Sequence, residues 1–404
     1  MRIFKLLCGA WILTLVASPA GAASLNELDR LAIEALEQRV VPLPGPARDT
    51  RDTQTASLST RMSQTRVPAV SVALFENGKI KWKRAYGEAV AGTGRRIDQA
   101  TRFQAASMSK AVAAAGALRL VEQRRLRLDE DVSLRLKGWR NPAAPTATTA
   151  KITLRRLLSH SAGLNVAGYP GYPADRTAPT IVQSLAGTAP AETAPVRPFA
   201  TPGERLAYSG GGYSVAQLLM TEAAGADFAA LMERAVLRPA GMRDSSFAQS
   251  PTLHPEAASG HDPDGRPIPG GGHIYPEMAA AGLWSTASDY ARFVIALQDS
   301  WAGRRNALLR RATARAMMTP VLGDYGLGVT IVERGGRTFF THGGANEGFR
   351  SRFVAFLDGP RQGLVVMTNG ENGGALAAAI QRTIAEAYGW GDLSAPPTPR
   401  APDE

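Results

Sequence analysis

Strand-forming runs stand near both ends of this chain, and helix-forming sequence fills the space between them. Val67 to Phe75 reads as a strand, Asn77-Gly78 as a tight turn and Ile80 to Tyr86 as the return strand. The second set comes late: Gly326 to Glu333, Thr338 to Thr341, Phe349 to Leu357 and Gly363 to Thr368, followed by a helix from about Ala375 to Tyr388. A lone hairpin buries too little to stand by itself. The economical packing joins the early hairpin to the late strands in one antiparallel sheet flanked by helices. The fold class is then α/β (α+β). Its sheet comes from residues 61–105 and 281–390, and a mainly helical part, 106–280, is inserted between them. Within that part, helical patches fall near Leu154 to Ser159, Val215 to Ala224 and Phe228 to Leu237. A cleft between the two halves is the natural active site.

The ends read differently from the body. Residues 1–22 have the pattern of a secretory signal: Arg2 and Lys5, an apolar run from Leu6 to Val16, then Ala20-Gly21-Ala22. The run is too short for a comfortable membrane span. The expectation is a secreted or periplasmic protein with no membrane span after signal removal. Residues 23–60 read as a helix, Leu25 to Val40, ended by Pro42, Pro44 and Pro46 and followed by a polar linker. Residues 391–404 read as a disordered tail. The one cysteine, Cys8, lies inside the signal, so the processed chain has neither a disulfide nor a thiol nucleophile. The net charge of +11 comes from scattered arginines without basic-aromatic alternation, so nucleic acid is not an expected partner. The five histidines lack zinc-like spacing, and no metal or cofactor is expected.

Ser107-Met108-Ser109-Lys110 carries the clearest chemistry. A serine and a lysine three positions apart at the start of a helix, about Ala106 to Arg124, share one face. A serine becomes a good nucleophile only when a neighbour takes its proton, and a lysine amine can do so if burial or nearby charge lowers its pKa. The flanks, Ala105-Ala106 and Ala111 to Ala115, are apolar, which predicts a buried Lys110. No other lysine after the signal has a serine three residues before it.

Two further pieces stand downstream. Tyr208-Ser209-Gly210-Gly211-Gly212-Tyr213 reads as a loop before a helix. Tyr208 either acts as a general acid or base beside a lysine, or anchors the glycine loop. His342-Gly343-Gly344 reads as the end of a strand. It is either a place where a ligand backbone approaches closely or a simple turn with a surface histidine.

In order and spacing the three pieces resemble the motifs S-x-x-K, Y-x-N and K-T-G or H-x-G of the penicillin-recognising serine hydrolases. These are the class C β-lactamases, D-alanyl-D-alanine carboxypeptidases and related esterases. The likeness runs from about Val67 to Trp390 and includes Leu157-Leu158-Ser159-His160-Ser161-Ala162-Gly163-Leu164 and Ala281-Gly282-Leu283-Trp284-Ser285-Thr286. It implies Ser107 as the acylated nucleophile, Lys110 as its proton acceptor and Tyr208 as the group that passes a proton to the leaving group. It further implies His342, Gly343, Gly344 and Gly210 along the substrate, and an oxyanion hole from the amides of Ser107 and Ala345. His160 reads as structural.

Two departures shape the expected function. Gly210 stands where the family has Asn, which weakens a β-lactamase reading. His342 stands where the lactamases have Lys, with a charge expected to change near pH 7. The expectation is a secreted serine hydrolase forming an acyl-enzyme on a carboxylic ester or a D-amino-acid-type peptide, with that small molecule, such as a peptidoglycan fragment, as its partner. A weak class C-type β-lactamase and a catalytically silent penicillin- or peptidoglycan-binding envelope protein are the alternatives.

Overall fold

A computed structural model describes residues 25–44, 53–140, 150–249 and 256–393. The signal at 1–22 and the tail from 394 onward lie outside the described residues. In chain order the first elements are α1 (Glu27–Gln38), α2 (Leu58–Thr65), β1 (Ala69–Glu76), β2 (Lys79–Gly87) and β3 (Phe103–Gln104). The helical part holds α3 (Ser109–Glu122), α4 (Leu154–Leu158), α5 (Ile181–Ala186), α6 (Gly210–Ala224), α7 (Phe228–Met232) and α8 (Met278–Ala281). Then come β4 (Trp284–Ser285), α9 (Ala287–Ala302), α10 (Arg311–Met317), β5 (Thr330–Arg334), β6 (Arg337–Asn346), β7 (Phe349–Phe356), β8 (Gly363–Thr368) and α11 (Gly373–Ala387).

The early hairpin and the late strands do form one antiparallel sheet, in the order β2-β1-β8-β7-β6-β5. Strand β1 joins the two ends of the chain, with Val70 opposite Thr368 and Phe75 opposite Gly363. Alternation along β1 supplies both faces of the sheet. Ala69, Ala73 and Phe75 face the core shared with α3, α6 and α9. Val70, Val72 and Leu74 face a second core shared with α1 and α11. Each such Val, Leu or Phe side chain removed from water contributes about 1.5–3 kcal/mol. The sheet is therefore covered on both faces. Helix α1 lies on α11, and the Val41 amide donates to Thr383 Oγ1 at 3.0 Å.

Some elements differ from the sequence reading, for local reasons. The polar linker gives way to α2, which begins at Leu58. Its N-cap Ser57 accepts the Thr60 amide, and its inward residues Leu58, Arg61, Met62 and Thr65 include two polar ones, so no apolar stripe marks it. Helix α5 was missed although Thr180 and Gln183 form a capping box. The tail does not begin at 391: Gly391–Leu393 form a short 3-10 turn with Leu393 buried. Residues 210–212 form the first turn of α6 rather than a loop, with Ser209 as N-cap. The triplet 342–344 lies inside β6 rather than at its end.

Candidate active site

Ser107 stands in a 3-10 turn, Ala106–Met108, that leads into α3. Helix α3 is buried on almost every side, which its alanine-rich sequence permits. The turn is held from four directions. The Ala105 amide donates to Leu283 O at 2.8 Å, and the Leu283 amide donates to Ser109 Oγ at 3.0 Å. Ser351 Oγ donates to Ala105 O at 2.8 Å, and Tyr290 Oη donates to Met108 O at 2.9 Å. These bonds hold Ala106 at a φ of 51°, left-handed and costly for a residue with a Cβ. Gly344 of β6 passes so close that a Cβ there would lie 2.3 Å from Ala105 O, so only glycine fits.

Lys110 is buried, as its apolar flanks predict. Its Nζ donates to Ser107 Oγ at 3.1 Å and to Ala280 O at 2.8 Å. The Tyr208 ring lies 4.9 Å from it and the Tyr213 ring 5.6 Å. Among the described residues the amine's hydrogen-bond partners are these two oxygens, neither of them a carboxylate. Tyr208 is partly exposed and overhangs the pair. Ser107, Tyr208, Thr341, His342, Gly343, Gly344, Ala345, Arg350, Ser351 and Arg352 share the wall of a cavity of about 510 Å³ with Gly374 and Ala377 of α11.

The structure thus brings Ser107, Lys110, Tyr208 and the 342–345 segment together. Gly210 lies apart from the cavity. Its amide donates to Ala167 O at 3.0 Å, and a Cβ on it would stand 3.2 Å from that oxygen and from Tyr169. The loop at 167–169 fills the space that a longer side chain would need.

His342 is also placed differently from expectation. Its Nδ1 faces Gly343 O and its Nε2 lies 2.9 Å from Tyr325 Oη. A carbonyl only accepts, so Nδ1 carries the proton, and Tyr325 donates to Nε2. Both ring nitrogens are occupied. Burial, helped by the Lys110 charge, draws its pKa down to about 4. The expectation of a charge change near pH 7 is corrected: this imidazole is neutral there and offers no proton to a substrate carboxylate. Tyr325, Ser351 and Arg352 escaped the sequence reading, since nothing local marks them. They reach the site through strand register and through the chain segment that leads into β5.

Residues 55–389 match the Beta-lactamase family, and the chain belongs to it. The protein is a β-lactamase-fold member of the serine hydrolases. It is 25% identical to Penicillin-binding protein 4 of Amycolatopsis lactamdurans, over 75% of this chain and 81% of that one. It is 29% identical to Esterase EstB of Burkholderia gladioli, over 50% and 52%. Against Protein Rv1367c of Mycobacterium tuberculosis, 28% identical over 55% of this chain, it spans 60% of that protein's length. The fold is shared with the octameric penicillin-binding protein homologue of Pyrococcus abyssi, with a TM-score of 0.69 at 21% identity over 82% of this chain and 76% of that one. A class C β-lactamase also shares it, with a TM-score of 0.63 at 18% identity over 81% and 93%.

Proposed function

We propose that this protein is an exported serine hydrolase that works through an acyl-enzyme on Ser107 and cleaves a carboxylic ester or a D-amino-acid-type peptide. The observation that carries the reading is the hydrogen bond from the buried Lys110 Nζ to Ser107 Oγ at the cavity wall. In the first step Oγ bonds to the substrate carbonyl carbon, and the serine proton passes to the Lys110 amine. The carbonyl oxygen, now negative, is met by the amides of Ser107 and Ala345. The tetrahedral intermediate collapses, and the leaving alcohol or amine takes a proton through Tyr208. Water then attacks the acyl carbon and loses a proton to the same relay, the bond to Oγ breaks, Ser107 Oγ takes that proton back, and the acid leaves. Gly210 favours an ester over a β-lactam, because the side chain that would contact a lactam amide is missing. The signal-like residues 1–22 motivate export.

The test is labelling by a fluorophosphonate, together with a turnover screen of short-chain esters, D-amino-acid peptides and a chromogenic cephalosporin. The expected result is a label on the native protein, none on Ser107→Ala, and faster turnover of esters or D-peptides than of the cephalosporin. Equal labelling of Ser107→Ala sinks the reading.

Arg352 adds a preference for substrates with an anionic group. Its Nε is buried without a hydrogen-bond partner, and no carboxylate among the described residues pairs with it, whereas Arg350 pairs with Glu371. A cation withdrawn from water without a counter-charge is costly, and a substrate carboxylate supplies one. With His342 neutral and fully bonded, Arg352 is the cavity cation left to do this. Arg352→Ala is expected to lower kcat/KM for a hemisuccinate ester about 10- to 100-fold, the value of a charge-assisted hydrogen bond. The matched neutral acetate ester should change by less than about threefold. Steady-state kinetics on both esters checks it, and equal losses would remove Arg352 from substrate selection.

A further inference from the structure

We infer that His160 is a positioning residue for Tyr208, fixing the proton relay from beneath; this rests on the role proposed for Tyr208 above. Tyr208 lies in a loop, is 42% exposed, and its hydroxyl meets no hydrogen-bond partner among the described residues. A general acid so placed needs another means of staying within reach of the reacting atoms.

His160 supplies three. Its carbonyl accepts the Ala207 amide at 2.8 Å. Its Nδ1 accepts the Ser209 amide at 3.0 Å. Its ring lies against the Tyr208 ring, with centroids 4.1 Å apart and planes tilted by 38°. The residues on either side of Tyr208 are therefore bonded to one histidine, and the phenol itself packs on it. His160 is buried and adopts a φ of 57°. A left-handed histidine costs about 1–2 kcal/mol and persists where several contacts over-determine it. Here the contacts are those that frame Tyr208.

The chemistry explains why an imidazole serves at this place. The Ser209 amide needs an acceptor in a pocket that also holds Lys110, His342, Tyr213 and Tyr325. A carboxylate would accept that amide, but it would also compete with Ser107 Oγ for the Lys110 amine. A neutral imidazole accepts without pairing. Burial first, then Lys110 and His342, keep the His160 ring neutral. With Nδ1 accepting, its proton sits on Nε2, which is buried without a partner. An unmade hydrogen bond of this kind costs about 1–3 kcal/mol. A ring chosen for packing alone would avoid that cost, since a phenyl group has no donor to leave unpaired.

The test separates the relay from the fold by leaving group. Acylation of Ser107 by p-nitrophenyl acetate, whose phenolate departs without a proton, is followed by rapid mixing. Acylation by an alkyl acetate requires a proton on the departing alkoxide. His160→Asn fits the left-handed backbone and offers an amide oxygen to Ser209, but it removes the ring from Tyr208. It is expected to slow the alkyl ester about 10- to 100-fold and the p-nitrophenyl ester less than about threefold. His160→Phe keeps a ring, loses the acceptor, and should show the same split. In a Tyr208→Phe background the His160 change should add less than about threefold. Equal losses on the two esters, no loss on either, additivity with Tyr208→Phe, or failure of both variants to fold would each overturn the inference. Absence of acylation in the native protein would instead remove the reading of Ser107 beneath it.

Discussion

Replacing Lys110 by methionine is expected to slow acylation of Ser107 by roughly 10³-fold or more while the fold stands, because the serine then has no base within reach. The nearest imidazoles do not substitute. His342 has both nitrogens occupied by Gly343 and Tyr325, and the Nδ1 of His160 is taken by Ser209. Tyr208, the remaining group near the pair, is proposed to serve the leaving group rather than the serine. Stability should change little. Methionine approximates the volume of lysine and removes the cost of taking an amine out of water, but it leaves Ala280 O without its donor, about 1–3 kcal/mol in the other direction. Pre-steady-state acylation of Lys110→Met beside its denaturant midpoint checks both halves. A variant that acylates at more than a tenth of the native rate would remove Lys110 from the proton transfer.

Lowering the pH from 7 to 4 is expected to cost the native protein up to roughly 3 kcal/mol of stability through His342 alone. The folded pKa is about 4, below the ordinary value of 6.5. Between those values the unfolded chain binds a proton that the folded chain refuses. Stability from this group is therefore whole above pH 6.5, declines as pH falls, and has gone by about pH 4. His160, also held low by burial, acts in the same direction. Glu277 and Asp289, raised by burial, act in the opposite direction, since the folded chain keeps their protons longer as pH rises. The clean measurement is the difference between native protein and His342→Gln in urea unfolding at both pH values. The native protein should lose more by up to the stated amount, and equal losses would place the His342 proton elsewhere. The same shift means that this imidazole confers no charge-dependent binding between pH 5 and 8.

Much of this architecture is written in local pattern. The hairpin around Asn77-Gly78, the run Gly363 to Thr368 and the closing helix carry their own turn and periodicity signals, and pairing them into one sheet follows from burial. Ser107 and Lys110 meet because helical spacing places them on one face, which any local reading can use. Helix α2 was not legible because its inward face mixes Leu58 and Met62 with the polar Arg61 and Thr65. The 342–344 triplet reads as a strand end because two glycines have no strand propensity of their own. Here the neighbours impose the strand: β7 pairs with it on one edge, and the Ser107 turn passes too close to Gly344 for any side chain there.

The sequence by itself determined the main strands and helices, their order, and the Ser107–Lys110 pair, since each depends on residues a few positions apart. Tertiary structure alone decided what surrounds that pair. It buried His342 against Tyr325 and made it neutral, filled the space beside Gly210 with the 167–169 loop, and left Arg352 facing the cavity without a counter-charge. It also set His160 beneath Tyr208. Protonation, free volume and unpaired charge depend on what the rest of the chain packs around a group, so no stretch of sequence contains them.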